Sequence, residues 1–146
     1  MEQNKKPYHP NIGGGTGATN GKQGLLNLGG IYIETLWTNP NRDVEVNEQN
    51  IILKTNTCSM IMITHISGIN NPSDVMNQTV IIPEIGAGGQ VCGTASALIF
   101  SRGYTWRSQN ILAVGNARSV RTYGNSGANI NVNTRFIPLK VYGLTF

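Results

Sequence analysis

The sequence is poor in charged and in aromatic residues. Only 12% of its 146 residues are charged and 7% are aromatic, whereas about a quarter of an average soluble domain is charged. Gly, Asn, Thr and Ser are abundant instead, which is typical of short strands joined by tight turns. The length suits one domain with a core of its own. This composition argues against a helical enzyme and against a disordered tail.

Acidic residues are missing from the later part of the chain, because none follows Glu84. The same part carries the basic residues Arg102, Arg107, Arg118, Arg121, Arg135 and Lys140. A basic half attracts anionic polymers. Because the arginines are scattered and no nucleic-acid-binding motif accompanies them, we expect no nucleic acid as partner. An anionic cell-surface glycan or polymer, or an acidic neighbouring protein, fits better.

Long hydrophobic runs and cysteine pairs are also missing. The longest apolar run, Met60 to Ile66, is too short to span a bilayer, and Met1 is followed by polar, basic residues unlike a signal peptide. We therefore expect no membrane insertion. Cys58 and Cys92 lie in no CxxC pair and are interpreted as small buried hydrophobic residues, with a disulfide left open.

Signatures of catalysis are absent from the sequence, which has no GxSxG, HExxH or P-loop motif. His65 closes an apolar run, where a packed histidine is more common than a base. Glu45 and Glu48 are the closest carboxylate pair, and with Asp43 they are weak candidates for a metal site. All three lie in a charged, turn-like segment typical of solvated side chains. We predict no enzymatic activity, no metal and no cofactor.

After Gly30, hydrophobic residues recur in patterns typical of β-strands. Ile31 and Ile33 alternate with Tyr32 and Leu36, and the run from Met60 to Ile66 predicts a central strand buried on both faces. Turn signals separate the runs, and 86–89 and 101–103 are predicted turns. The predicted strands are 44–46, 51–53, 60–66, 79–82, 97–100, 104–107, 111–114, 130–134 and 136–142. They indicate an all-β, antiparallel β-sandwich, jelly-roll-like, over residues 30–146.

Residues 1–12 form a polar segment whose prolines favour extended backbone at the residues before them. We expect an extended N-terminal arm that docks onto a larger partner, with an ordinary disordered terminus as the alternative. The candidate anchoring residues are Lys5, Lys6, Pro7, Tyr8, His9 and Pro10.

The segment from Gly14 to Gly29 has the sequence GGTGATNGKQGLLNLG. It resembles the GGTGAT…NLG linker of bacteriophage tail fibres and related receptor-binding proteins, which lies between a slender shaft and a globular tip. The LWTNP segment ending at Pro40 and the C-terminal IPLKVYG segment are similar to the first strand and the terminus of small tip domains of phage structural proteins. The resemblance covers both ends of the chain but not the middle, where target specificity would lie.

This resemblance implies a short homotrimeric virion fibre assembled in the host cytoplasm. Residues 1–12 would anchor it to other virion proteins, 13–29 would form a Gly-rich trimerisation neck, and 30–146 would form a knob for host attachment. Glycine fits the crowded axis of intertwined chains, and the leucines lie on a segment too short to bury them alone. A flexible linker is the alternative. The neck residues are Gly14, Gly15, Thr16, Gly17, Leu25, Leu26 and Leu28.

Receptor binding is predicted where arginines and aromatic residues lie close together in the sequence. Aromatic rings stack on sugars, guanidinium groups bind carboxylates or phosphates, and loops carry recognition on β scaffolds. The candidates are Arg102, Tyr104, Trp106, Arg107, Arg121, Tyr123 and Asn125. The alternative for Trp106 is a core position, and for Tyr104 a subunit boundary. Two other functions stay open: a structural head-fibre, decoration or tail-tip protein without receptor binding, and a stand-alone carbohydrate-binding module.

Overall fold

The computed structural model describes residues 17–54, 58–69, 75–95, 98–121 and 130–146. Contacts divide the chain into two units, one ending at Tyr32 and including Phe146, the other holding Ile33–Thr145. The predicted arm, 1–12, lies outside the described residues, as do Gly14, Gly15, Thr16, Tyr123 and Asn125.

Two antiparallel sheets make up the second unit, so the predicted all-β sandwich is confirmed. One sheet has four strands in the order β1-β9-β3-β4, and the other has five, with the order β2-β7-β6-β5 and β8 beside β7. The strands are β1 Tyr32–Thr38, β2 Gln49–Ile52, β3 Met60–Gly68, β4 Val75–Ile81, β5 Gly88–Ala95, β6 Leu98–Ser108, β7 Ile111–Arg121, β8 Ile130–Asn131 and β9 Arg135–Thr145.

The core lies between the sheets, where alternate side chains of each strand point inward. Ile61 and Ile63 of β3 and Leu112 and Val114 of β7 are fully buried. The prediction that β3 is buried on both faces is wrong at its start, because Met60 and Met62 alternate with the buried isoleucines and are only half-buried.

Glycine explains the main errors in the predicted strands. Gly88 and Gly89, predicted as a turn, begin β5. A Cβ at Gly89 would lie 2.6 Å from the methyl group of Thr79, so glycine is what allows β5 to approach β4. Ser101 to Gly103, also predicted as a turn, lie inside the continuous strand β6. The predicted strand 44–46 is irregular in the structure.

The first unit contains one described helix, α1, which spans Gly21–Asn27 in the predicted neck. Asn20 caps its N-terminus, since the side chain of Asn20 accepts a hydrogen bond from the backbone N–H of Gln23. Gly29, with a φ of 73°, follows its C-terminal end. Leu25 and Leu28 are exposed. No helix in the described part of the chain is long and apolar enough to cross a membrane.

The cysteines differ from their predicted burial. Cys92 on β5 is exposed, whereas Cys58 is half-buried and packs against the core. Neither forms a disulfide. The outward position of Cys92 follows from strand alternation, because its neighbour Val91 is buried.

Candidate functional site

Strand β6 divides the predicted receptor-binding residues between its two faces. Arg102, Tyr104 and Trp106 point into the sandwich and are at most 2% exposed. Their prediction as receptor contacts is therefore corrected, because a ligand in solvent does not reach them. Arg107 is exposed on the outer face. The sequence places all four residues close together, but strand alternation separates them.

Arg102 is a buried cation held by backbone oxygens. Its Nη1 donates to the carbonyl oxygens of Val46 at 2.7 Å and Gly115 at 2.8 Å, and its Nη2 donates to those of Asn133 and Arg135, each at 3.0 Å. Its Nε also donates to the carbonyl oxygen of Arg135, at 3.3 Å. All five N–H donors of the guanidinium can thus be satisfied by neutral acceptors.

Burial shifts the pKa values of Arg102 and its neighbour Tyr104 in opposite directions. Desolvation lowers the pKa of Arg102, while the charge of ionised Tyr104 acts to raise it. Desolvation raises the pKa of Tyr104 well above its ordinary value, and Arg102 opposes that shift only partly. Within the described residues, the Tyr104 hydroxyl has no hydrogen-bond partner.

Two irregularities in the pairing of β6 with β7 shape the outer face of the five-stranded sheet. Between the pairs Arg102–Ala117 and Tyr104–Val114, Gly103 alone faces two residues of β7, Gly115 and Asn116. Such β-bulges re-aim side chains and are common near functional sites.

The second irregularity places Arg107. Trp106 pairs with Leu112 and Ser108 pairs with Ile111, so Arg107 is the extra residue on its strand. The two bulges therefore set the positions of Asn116 and Arg107 on the same side of the sheet.

A concavity of about 370 Å³ lies on the outer face between these bulges. We call it the polar concavity. It is lined by Glu48, Gln90, Ser101, Gly103, Thr105, Arg107, Ala113, Val114, Gly115, Asn116 and Arg118. Its volume falls within the usual range for ligand sites. A second depression, of about 250 Å³, shares Glu48, Arg107 and Ala113 with it and adds Gln49 and Asn50.

Two glycines, Gly103 and Gly115, form the floor of the polar concavity. A Cβ on Gly103 would meet no atom within 4 Å, so this glycine leaves open space. A Cβ on Gly115 would lie 3.3 Å from the carbonyl oxygen of Gly103, so the strands approach closely there. A larger residue at either position would reduce the space for a ligand.

The lining carries more positive than negative charge. Arg107 and Arg118 are exposed cations, and Glu48 is the single carboxylate among the lining residues. Neither guanidinium has a hydrogen bond or ion pair with the described residues. Both are available to an anionic group, and the amides and hydroxyls around them suit the hydroxyl groups of a sugar.

A polar network holds one wall of the concavity in place. The side-chain oxygen of Asn116 accepts from the backbone N–H of Glu48 at 2.9 Å and from the side-chain amide of Asn133 at 3.0 Å. The side-chain oxygen of Asn133 accepts from the backbone N–H of Ala117 at 2.9 Å. Because the carbonyl of Asn133 also accepts from Arg102, the network connects the core to the wall.

Sequence reasoning identified one residue of this lining as a binding candidate, Arg107. Among the other lining residues, Glu48 is a candidate from the sequence only for a weak metal site, and Gln90, Asn116 and Arg118 are not predicted ligand contacts. The signal that could have found Arg118 was its place among the late basic residues. No signal in the sequence could have identified Asn116, because a β-bulge is defined by the pairing of two strands and does not show in the residue pattern of one strand. The backbone of Arg121 pairs with Leu98 at the far end of β7.

The acidic candidates do not come together. Glu48 lines the polar concavity, but Asp43 and Glu45 do not. No group of three or more His, Cys, Asp or Glu residues placed to hold a metal occurs among the described residues. The Oδ1 atom of Asp43 lies 3.9 Å from the Nε atom of Arg42, and the two side chains form an exposed ion pair.

Comparisons with known proteins return no relative. No protein-family model matches the chain, and neither a curated protein nor a solved structure matches it.

Proposed function

We propose that this chain is a short homotrimeric phage virion fibre whose knob attaches to the host surface. The N-terminal arm would anchor it to other virion proteins, and the knob would bind an anionic surface glycan or polymer without acting on it chemically. The phage and virion parts of this proposal rest on the sequence resemblance at the neck and at the two ends of the knob. The binding part rests on the polar concavity.

The observation that carries the binding proposal is the arrangement of Arg107 and Arg118 around a floor without side chains. Gly103 leaves space for a ligand, and the guanidinium groups can bind a carboxylate or phosphate of the ligand through two parallel hydrogen bonds. The adjoining depression lengthens the concavity, which suits an extended polymer better than a compact molecule. Three copies on one fibre would raise the avidity of a weak individual site.

Two alternatives predict different behaviour of the same molecule. A structural head-fibre, decoration or tail-tip protein would not bind polymers through the concavity. A stand-alone carbohydrate-binding module would bind them as a monomer and would not need the arm. The binding experiment tests the first alternative, and the mass of the protein in solution tests the second.

The test is binding of the full chain to immobilised polygalacturonate and to a glycerol-phosphate polymer, with neutral dextran as reference. We expect binding to at least one anionic polymer, weakened by salt. Arg107→Gln and Arg118→Gln should each weaken binding about tenfold, since losing one charge-assisted hydrogen bond costs about 1.5 kcal/mol or more.

The matched control is Arg42→Gln, which removes an exposed arginine that does not line the polar concavity. It should retain wild-type affinity. Equal losses in all three variants would show that net charge, and not the concavity, governs binding. No binding to either anionic polymer would favour the structural alternative.

A further inference from the structure

The smaller depression beside the polar concavity has opposite charges in its lining. It is lined by Glu48, Gln49, Asn50, Arg107 and Ala113, and its volume is about 250 Å³. We call it the side depression. Its carboxylate and its guanidinium belong to exposed residues, and both residues also line the polar concavity. A ligand in either depression therefore lies near a positive and a negative side chain.

Strand pairing keeps Glu48 and Arg107 apart. Glu48 directly precedes β2, whereas Arg107 lies on β6. The two strands flank β7 on opposite sides, so they are separated by two strand spacings, about 10 Å. Within the described part of the chain, neither side chain forms an ion pair or a hydrogen bond. Both charges are therefore available to a ligand.

The sheet fixes the backbone on both sides of the side depression. The backbone N–H of Glu48 donates to the side-chain oxygen of Asn116 at 2.9 Å, and Arg107 is held in its bulge beside β7. Ala113 on β7 lies between them and pairs with Asn50 on β2. Because its side chain is small, Ala113 leaves room for a ligand and offers a methyl group to the carbon skeleton of that ligand.

Glu48 restricts which anionic ligands fit. Like charges brought together repel, and binding sites use such contacts to reject wrong partners. A polymer that carries only anionic groups is attracted by Arg107 and repelled by Glu48. A ligand that places a cation at Glu48 and an anion at Arg107 is attracted by both.

We propose that the side depression binds a zwitterionic unit of the surface polymer. An ammonium group of the ligand lies at Glu48, and a carboxylate, sulfate or phosphate of the ligand lies at Arg107. The inference rests on the proposed binding function and names the class of polymer, one whose repeating units carry free amino groups as well as anionic groups. An amino sugar in an acidic glycan supplies this chemistry, and so does an aminoacyl ester on a polyol phosphate.

The test compares polymers that differ in their amino groups, at pH 6, where free amines are protonated. One pair is N-desulfated heparin, which has free amino groups, and the same polymer after N-acetylation. The other pair is an alanyl-esterified glycerol-phosphate polymer and the same polymer after mild alkali has removed the esters.

The wild-type full chain should bind the amino-bearing member at least about fivefold more tightly in one pair or in both, and that pair identifies the source of the ligand. In both pairs the member without amines has the larger negative charge. Net charge alone therefore predicts the opposite preference for this basic protein.

The variant Glu48→Gln keeps the size of the side chain and removes its charge. It should bind the amino-bearing polymer about tenfold more weakly than the wild type, since one charge-assisted contact is lost. It should bind the polymer without amines equally well or more tightly, because the repulsion is removed. The matched control is Glu45→Gln, which removes an exposed carboxylate that lines neither depression and should keep the wild-type preference.

Urea denaturation of the three proteins excludes unfolding as the cause of a loss. If Glu48→Gln lowers the midpoint, the preference of the wild type between paired polymers still decides the inference. Equal wild-type affinity within both pairs would overturn it, as would a preference that Glu48→Gln retains or that Glu45→Gln loses to the same extent.

Failure of this inference differs from failure of the proposed function. If the wild type binds both members of each pair equally and Arg107→Gln weakens both, binding of anionic polymers stands and the zwitterionic unit is refuted. If the wild type binds none of the four polymers and no polygalacturonate, the proposed binding function itself is contradicted, and this inference fails with it.

Discussion

The guanidinium of Arg102 donates a 2.8 Å hydrogen bond to the carbonyl oxygen of Gly115, and so connects the buried core to the floor of the polar concavity. Gly115 belongs to the β7 bulge that faces Gly103. Arg102 therefore has a role at the candidate site without touching a ligand, because it fixes the backbone that gives the site its shape.

Replacing Arg102 should strongly destabilise the sandwich. Arg102→Ala would remove a donor from the carbonyl oxygens of Val46, Gly115 and Arg135, whereas the carbonyl of Asn133 keeps the backbone N–H of Val46 as a donor. Since each unsatisfied buried polar group costs about 1–3 kcal/mol, we expect a loss of at least about 3 kcal/mol in the free energy of unfolding. Urea denaturation measures it.

The control for Arg102 is Arg42→Ala, which removes an exposed side chain. Its ion pair with Asp43 is long and solvated, so the expected change is within about 0.5 kcal/mol. Similar losses for the two variants would contradict the structural role of Arg102.

Filling the floor of the polar concavity should impair binding but not folding. The added methyl group of Gly103→Ala meets no atom within 4 Å, so the free energy of unfolding should change by less than about 1 kcal/mol. The same methyl group occupies ligand space, and we expect severalfold weaker binding to the anionic polymer. Gly21→Ala, also in open space but on α1, should bind like the wild type. Unchanged binding by Gly103→Ala would place the ligand elsewhere.

Tyr104 should make the protein sensitive to alkaline pH. Its pKa is raised in the folded state, so above about pH 10 the unfolded chain releases the phenol proton while the folded chain retains it. The free energy of unfolding therefore falls as pH rises, by up to about 1.4 kcal/mol per pH unit from this group. Tyr104→Phe removes this contribution.

The measurement is urea denaturation of wild type and Tyr104→Phe at pH 8 and at pH 10.5 to 11. At pH 8 the variant should equal or exceed the wild type in stability, because it removes a hydroxyl that has no partner among the described residues. At the higher pH its advantage should grow. A constant difference between the two proteins across this range would refute the prediction.

Asn20 should stabilise α1 locally. Asn20→Ala removes the side-chain oxygen that accepts from the N–H of Gln23 at 2.9 Å, a loss that typically costs about 1 kcal/mol of helix stability. Hydrogen exchange at the Gln23 amide should become faster, while exchange in β3 stays the same. Asn20→Asp keeps an acceptor and serves as the control. Equal protection of Gln23 in the alanine variant would argue against the cap.

Much of the sandwich could be predicted because its strands carry their own signal. Alternation of apolar and polar residues, as on β1, is visible within a single strand. Turn-forming residues such as those at 39–41 are likewise visible in a short stretch of sequence. The strand β5 was missed because its glycines lack side chains to show a period. The need for glycine at position 89 comes from its close approach to Thr79 and Ile81, which lie on another strand.

The candidate site was predicted only in part, because its shape depends on pairing between strands. Arg107, a predicted receptor contact, is exposed, but Arg102, Tyr104 and Trp106 share the opposite face of β6 and belong to the core. Whether an aromatic residue in a strand points inward depends on the register of the whole sheet. The bulge at Gly115 and Asn116 exists only relative to Gly103 on the neighbouring strand.

The sequence by itself determined the all-β class, the approximate places of most strands and the basic character of the later half, since these follow from local periodicity and composition. The tertiary structure decided which arginine is buried and which is exposed, and where the polar concavity lies. Those features depend on which residues become neighbours across strands, and hydrogen bonding between segments distant in the sequence determines which residues these are.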